Sequence, residues 1–368
     1  MRTRASAIAV DQSGSKNAEN RKDQSSLGFP TFSGSIQDLK DGTATFLHKF
    51  AQMDTVKEVG ICLIRVPGAE LEILEFRKAI LKDGVMAIFE IEQNALGSIK
   101  ITNKIGALRS AGQKNRRLAK DFQTDNQEQH WSDSELKNLF NDFGTSTEQF
   151  YMIGPTWMLP EYEPLLDSGS LKEAMATDIP GVTSGYLYIS PVPDKRTYTR
   201  LHKEDCDFAS VNLVLAGAPK VWLSIEPAHN TRLKLQLRRH FPELRNKKCS
   251  NTVSHLNSVI PTGLLDKWKI NYRIQVCRPG ELVFTMPGTY HQIVNLGRNV
   301  AESINLMFPG MNPPSIHYLY CNEKRCNTAE AIDGSYFVRE GDTEQGSLHG
   351  TKRQIVEGED RNPKKHKR

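Results

Sequence analysis

In "TRLHKEDCDFASVNLVLAGAPKVWL", residues 199 to 223, His202 and Glu204 stand one position apart where a polar stretch turns apolar. Extended backbone sends alternate side chains to one face, so an imidazole and a carboxylate project together. Alone, the pair reads equally well as a surface salt bridge at a strand start. His291 adds weight: it follows "GELVFTMPGTY", a strand and tight turn, and opens the next strand, "HQIVNL". Two histidines and a carboxylate on neighbouring strands make a facial triad for non-haem Fe(II), with three positions open for a bidentate co-substrate and dioxygen. Lys220 opens the apolar stretch "KVWLSI" after Gly217-Ala218-Pro219. A lysine there must find an anion or reach back to solvent, and the distal carboxylate of 2-oxoglutarate is such an anion. The Thr199 hydroxyl and the Asn212 amide, inside "SVNLVL", are further candidate donors to that co-substrate.

The elements that must hold these groups are short. From about residue 150, "SGYLYISPV", "FASVNLVLAG", "KVWLSI", "ELVFTMPG", "HQIVNLG" and "ESINLMF" are β-rich segments separated by Gly, Pro and Asn turns. Their punctuation predicts a β-barrel or sandwich. One helical insert, "AHNTRLKLQLRRHFPELR", interrupts them. Upstream, "EVGICLIRVP" is a buried-strand candidate, and "ELEILEFRKAIL" reads as helical. "SDSELKNLFNDF" reads as a helix capped by Ser132 or Ser134. Residues 1–28, rich in Ser, Asn, Lys and Asp, read as disordered.

The stretch 185 to 308 resembles the JmjC (Jumonji C) catalytic domain, most closely the histone trimethyl-lysine demethylases that pair it with a JmjN segment. The pieces that carry the resemblance are "GYLYIS", "HKEDCDFASVNLVLAGAPKVW", "PGELVFTMPGTYHQIVNLGRNVAESINL" and the shorter "FYMIGPTW". It implies a mainly-β fold, a double-stranded β-helix with an α+β N-terminal region. It also implies iron on His202, Glu204 and His291, and 2-oxoglutarate on Lys220, Asn212 and Tyr151. Tyr186, Tyr188, Ser303 and Asn305 would line a methyl-lysine pocket for a histone tail, with H3 the expected source. Where those demethylases carry an aromatic three residues before the first histidine, this chain has Thr199, as in JmjC branches that hydroxylate protein side chains. A catalytically silent chromatin module is the third reading; a scaffold would have no need of the triad together with Lys220.

By spacing, Cys249 and His255 in "CSNTVSH" and Cys321 and Cys326 in "YCNEKRC" are no zinc-finger pattern. The resemblance implies a Cys₃His structural zinc site built from them, although four residues separate the last pair where the family has one. His317 is the reserve ligand. The implied organisation is a disordered segment 1–28, a region 29–148 that is a JmjN-like candidate, a JmjC domain 149–310, a zinc-binding segment 311–335 and a basic tail 336–368.

Composition is consistent with a globular chain: 368 residues, 38% hydrophobic, 18 prolines. No run of 18 apolar residues exists, so no membrane span is expected, and "MRTRASAIAV" is too short in apolar residues for a signal peptide. Six scattered cysteines argue against a disulfide framework. The net charge of +5 sits in "RNPKKHKR", which reads as a nuclear address or a loose nucleic-acid contact. Chromatin-associated partners are expected, and nucleic-acid contact only through that tail.

Overall fold

The computed structural model describes residues 27–71, 73–75, 85–103, 120–122, 130–159, 162–192, 195–245, 251–315, 317, 332 and 334–338. The chain divides into units 1–337 and 338–368, and of the second only Val338 is described. The readings of residues 1–26 and of the basic tail lie outside the described residues.

Before residue 130 the described strands are β1 (Thr31–Ser33), β2 (Ile61–Arg65), β3 (Ile73–Glu75), β4 (Val85–Gln93), β5 (Ile99–Asn103) and β6 (Lys120–Phe122). They are followed by β7 (Glu148–Pro155), β8 (Tyr186–Ser190), β9 (Thr197–His202), β10 (Ala209–Gly217) and β11 (Lys220–Ile225). The last five are β12 (Ser258–Val259), β13 (Tyr272–Cys277), β14 (Glu281–Thr285), β15 (His291–Asn295) and β16 (Asn299–Leu306). Ten strands form one sheet in the order β1-β2-β14-β10-β16-β8-β7-β4-β5-β12, and four form a second, β13-β11-β15-β9. The result is mainly β, as the punctuated short strands predict, with the two sheets of the jelly roll that the resemblance implies.

Each central strand has two distinct faces. On β10, Val211, Leu213 and Leu215 pack into a core with Phe46, Leu47 and Phe50 of the helix Thr43–Ala51. On β11, Val221, Leu223 and Ile225 join a second core with Leu233 and Leu237 of the helix Asn230–His240. The alternate residues, Ser210 and Asn212 on β10 and Lys220, Trp222 and Ser224 on β11, therefore face the opposite way. A one-residue slip would exchange the two sets, so burial of the aliphatic face fixes where the polar face points.

The turn between β10 and β11 depends on Gly217. Its φ is +86°, and a Cβ there would lie 2.3 Å from the Arg298 carbonyl oxygen. Only glycine tolerates both conditions, and the turn it permits starts β11 at Lys220.

One element departs from expectation. Within "ELEILEFRKAIL", read as helical, Ile73–Glu75 is a strand paired antiparallel with β6; residues 72 and 76–84 lie outside the described set. Leu71 and Ile73 alternate while Ile73 and Phe76 fit a helical period, so the pairing partner, which local pattern does not reveal, decides. The capped helix is as read: Ser132 accepts from the Glu135 N–H and Glu135 accepts in return from the Ser132 N–H.

Glu302, on the aliphatic face of β16 beside Val300 and Ile304, is fully buried. Tyr162 Oη–H donates to its Oε2 at 2.5 Å and the Leu165 N–H at 3.2 Å, while Oε1 has no partner among the described residues. Burial pushes its carboxyl up to about 7. Because the folded-state value lies above 4.5, this group's contribution to stability is fully present below 4.5 and is lost as pH rises through about 7. Glu302→Gln keeps an acceptor for Tyr162 and cannot ionise. Denaturant titrations at pH 5 and pH 8 should show the wild-type chain losing about 2.5 kcal/mol more stability than the variant over that interval. Parallel pH profiles for the two proteins would contradict it.

Candidate metal centre and co-substrate pocket

β9 and β15 pair antiparallel, and His202 stands directly opposite His291. The register shifts between His291 and Ile293, a bulge that twists the strand end. The imidazole centroids are 4.3 Å apart. The sequence reading kept Glu204 on the same strand as His202. Instead β9 ends at His202, but Glu204 retains extended backbone (φ −65°, ψ 156°), which preserves the two-residue alternation. Its Oε1 lies 3.6 Å from His291 Nε2, and one ligand atom from each of the three residues lies within 4.8 Å of the others.

Three features prepare these groups for a cation. His202 Nδ1–H donates to the Arg200 carbonyl at 2.8 Å, and His291 Nδ1–H to the Thr289 carbonyl at 3.1 Å. A carbonyl can only accept, so each ring carries its proton on Nδ1 and leaves the Nε2 lone pair for a metal. Burial pushes both imidazoles down to about 4, with the positive charge of His202 a further influence on His291, so both are neutral at pH 7. Asn305 Nδ2–H donates to Glu204 Oε2 at 3.1 Å, holding the carboxylate from the other sheet. Asn305→Ala should therefore weaken Fe(II) or Co(II) binding by about 10–100-fold, the usual cost of losing an orienting partner, as read by metal titration. Unchanged affinity would mean that Glu204 orients itself.

Lys220 is 1% exposed, and burial pushes its ammonium down to about 8. No carboxylate among the described residues pairs with it. It stands opposite Asn295 on β15 and Cys277 on β13, and Asn295 stands opposite Thr197 on β9. Asn295 Nδ2–H donates to Thr197 Oγ1 at 2.9 Å, and Thr197 Oγ1 is 3.1 Å from Ser190 Oγ. Thr199 lies one pleat away, opposite Ile293. Facing this sheet, Asn212 on β10 is buried, and among the described residues its Oδ1, Trp222 Nε1 and Ser224 Oγ find no hydrogen-bond partner. Buried polar atoms left unsatisfied are costly. An ammonium with no carboxylate partner among the described residues, on the same strand as two orphaned donors, fits a small dicarboxylate such as 2-oxoglutarate, and the neutral His₂–carboxylate set fits Fe(II).

The tyrosines assemble on the faces of the paired strands β7 and β8 that lie opposite the core residues Met152, Leu187 and Ile189. Tyr186 and Tyr188 have ring centroids 6.0 Å apart at 82°, and Tyr151 lies 5.9 Å from Tyr188. Burial holds the Tyr188 phenol well above its usual range, and the negative charge of Glu204 adds to the shift, which places it within electrostatic reach of the metal ligand. Ser303 stands between Tyr186 and Asn212 in cross-strand register, and its Oγ–H donates to the Val211 carbonyl at 2.8 Å.

The zinc set is a different matter. Cys249, Cys321 and Cys326 lie outside the described residues; His255 is half-buried at the end of the 3₁₀ turn Thr252–His255, and His317 is exposed. Sequence reasoning missed Trp222, whose indole lies 5.4 Å from the His291 ring, and Ser224 opposite His291. The available signal was their spacing from Lys220, two and four residues along one strand.

A JmjC domain model, described as a hydroxylase, matches residues 186–306. The chain is 32% identical over 153 residues to the human protein named probable lysine-specific demethylase 4F, covering 42% of this chain and 23% of that one. It is also 32% identical over 139 residues to rat lysine-specific demethylase 4D, covering 38% and 26%, and over 149 residues to mouse lysine-specific demethylase 4B, covering 40% and 13%. The match thus spans about a quarter or less of the length of these relatives. The matched residues run from the tyrosine pair on β8, through both histidines and the glutamate, to the last strand of the jelly roll. Residues 186–306 of this chain are thus similar to the JmjC domain.

Proposed function

We propose that the chain is an Fe(II)- and 2-oxoglutarate-dependent dioxygenase that removes methyl groups from lysines of a histone tail, with residues 149–310 as its catalytic domain. When bound, the iron would supply oxidative decarboxylation of 2-oxoglutarate coupled to hydroxylation of an N-methyl group, which then leaves as formaldehyde. The observation that carries the reading is the meeting of two Nε2 lone pairs and an oriented carboxylate beside a buried, unpaired ammonium. His202, Glu204 and His291 hold the iron. Lys220 receives the distal carboxylate of 2-oxoglutarate, with Asn212, Thr199 and Tyr151 as further contacts. Tyr186 and Tyr188 offer ring faces to a methylated ammonium, and Ser303 and Asn305 complete that wall. The named activity of the relatives, lysine-specific demethylation, supports the same substrate class; an H3 tail, a nuclear location and chromatin-associated partners follow from it.

A second reading, stable hydroxylation of a protein side chain, is favoured by Thr199, which gives the cavity a hydroxyl in place of an aromatic ring. Mass spectrometry of methylated H3 peptides incubated with the chain, Fe(II), ascorbate and 2-oxoglutarate separates the two. Loss of methyl mass with formaldehyde release is the expected result; gain of one oxygen supports the second reading. Formaldehyde release that survives His202→Ala would overturn the iron assignment. We also assign Cys249, His255, Cys321 and Cys326 to a structural zinc ion, closed to substrate by its four ligands. A full equivalent of zinc retained by Cys249→Ser would remove that site.

A further inference from the structure

The near-balance of charge along most of the chain conceals one strongly basic segment. Residues 230–269, the insert between β11 and β13, contain nine lysines and arginines and two acidic residues. The helix Asn230–His240 buries Leu233 and Leu237 against the outer side of the four-stranded sheet. At 3.6 residues per turn, its opposite side is centred on Leu235, with Arg232 and Arg239 along one flank and Lys234 and Arg238 along the other. Arg232, Leu235 and Arg239 are exposed.

The segment after the helix Thr262–Lys267 runs beside it. Arg232 donates to the Lys269 carbonyl at 3.0 Å, and the His240 and Trp268 rings are 5.0 Å apart. This brings the exposed Lys267 and Lys269 alongside the same face. Arg245 donates to the Arg239 carbonyl, which adds another exposed guanidinium at the helix end. Of the two acidic residues, Asp266 is engaged by Lys137 and by the Tyr272 hydroxyl. Among the described residues, none of Arg232, Lys234, Arg239, Arg245, Lys267 and Lys269 forms an ion pair.

We propose that this face binds the phosphate backbone of duplex nucleic acid. Six unneutralised cations along one helix and its neighbour match a polyanion whose charges are closely and regularly spaced. The face lacks what other polyanions would use. Among the described residues its only large apolar side chain is Leu235, whereas a helix lying in a lipid surface needs an apolar stripe, and here the leucine stripe is committed to the core. Among the described residues no exposed aromatic ring stands on it to stack an unpaired base, since Trp268 is buried against His240. The face lies on the outer side of the small sheet while the metal ligands lie on its inner side, so binding there leaves the cavity open.

Fluorescence anisotropy with a labelled 30-base-pair DNA duplex over a salt series tests the proposal, using the full chain with its tail neutralised (R361Q/K364Q/K365Q/K367Q/R368Q). That protein should bind, and adding K234E/R239E/K267E should weaken binding at least tenfold and reduce the log–log salt slope by about 3. None of these three side chains donates to a described partner, and circular dichroism confirms the fold. Absent binding by the tail-neutralised chain, or binding unaffected by the triple reversal, overturns the proposal. So does equal or tighter binding to phosphatidylserine vesicles or to single-stranded DNA. The proposal draws its biological setting from the chromatin reading, yet the two fail separately: duplex binding without peptide turnover refutes the enzyme, and unaltered peptide turnover without duplex binding refutes this surface.

Discussion

A Glu204→Gln protein is expected to fold normally and to turn over peptide about a thousandfold more slowly. The amide keeps an oxygen able to accept from Asn305 Nδ2–H, the bond that sets the side chain's direction, so orientation survives. What disappears is the only negative charge in a set whose other two members are neutral imidazoles. Metal-based stabilisation is worth several kcal/mol, and each ~1.4 kcal/mol is a factor of ten in rate. Metal titration should show a parallel loss of Fe(II) affinity. Turnover within tenfold of the parent would mean that the ion is held elsewhere.

Lys220→Met tests the co-substrate side and has two effects of opposite sign. The wild-type ammonium is buried with no carboxylate partner among the described residues, and burial pushes it down to about 8 from 10.5. Below about 8 the folded and unfolded chains both hold the proton, so the desolvation cost, about 3 kcal/mol, is fully present. It is relieved as pH rises from about 8 to 10.5. Methionine removes the charge while filling similar space, so the co-substrate-free variant should melt several degrees higher at pH 7, the difference shrinking towards pH 10. Added 2-oxoglutarate should raise the melting temperature of the wild-type chain and not of the variant. The variant should also need at least about a hundredfold more 2-oxoglutarate for turnover, because breaking a buried pair costs ~3–5 kcal/mol. Equal stabilisation of both proteins by 2-oxoglutarate would show that the lysine is not its anchor.

The groups most legible in the sequence are those whose chemistry clashes with their surroundings. His202, His291 and Lys220 each sit at the boundary of an apolar strand, and simple alternation sends them inward. Trp222 and Ser224 were hidden because "KVWLSI" reads as one buried run in which a tryptophan needs no further explanation. Glu302 was hidden for the opposite reason: between Ala301 and Ser303 it looks like an ordinary strand carboxylate. Its burial depends on Tyr162, 140 residues away in sequence. Likewise the pairing of Ile73–Glu75 with β6 is a long-range choice that neither segment announces locally. The basic character of residues 230–269 was present in the composition, but a whole-chain charge balance averages it away.

The two-faced construction of β10 and β11 separates chemistry from durability. Leu213 or Leu223 can be exchanged for another aliphatic side chain of similar volume at a cost paid in melting temperature, while Asn212 and Lys220, on the opposite faces of the same strands, keep their place. The converse also holds: a specificity change made on the inward rows leaves the hydrophobic seam untouched. A strand organised in this way lets robustness and selectivity be tuned independently within the same few residues.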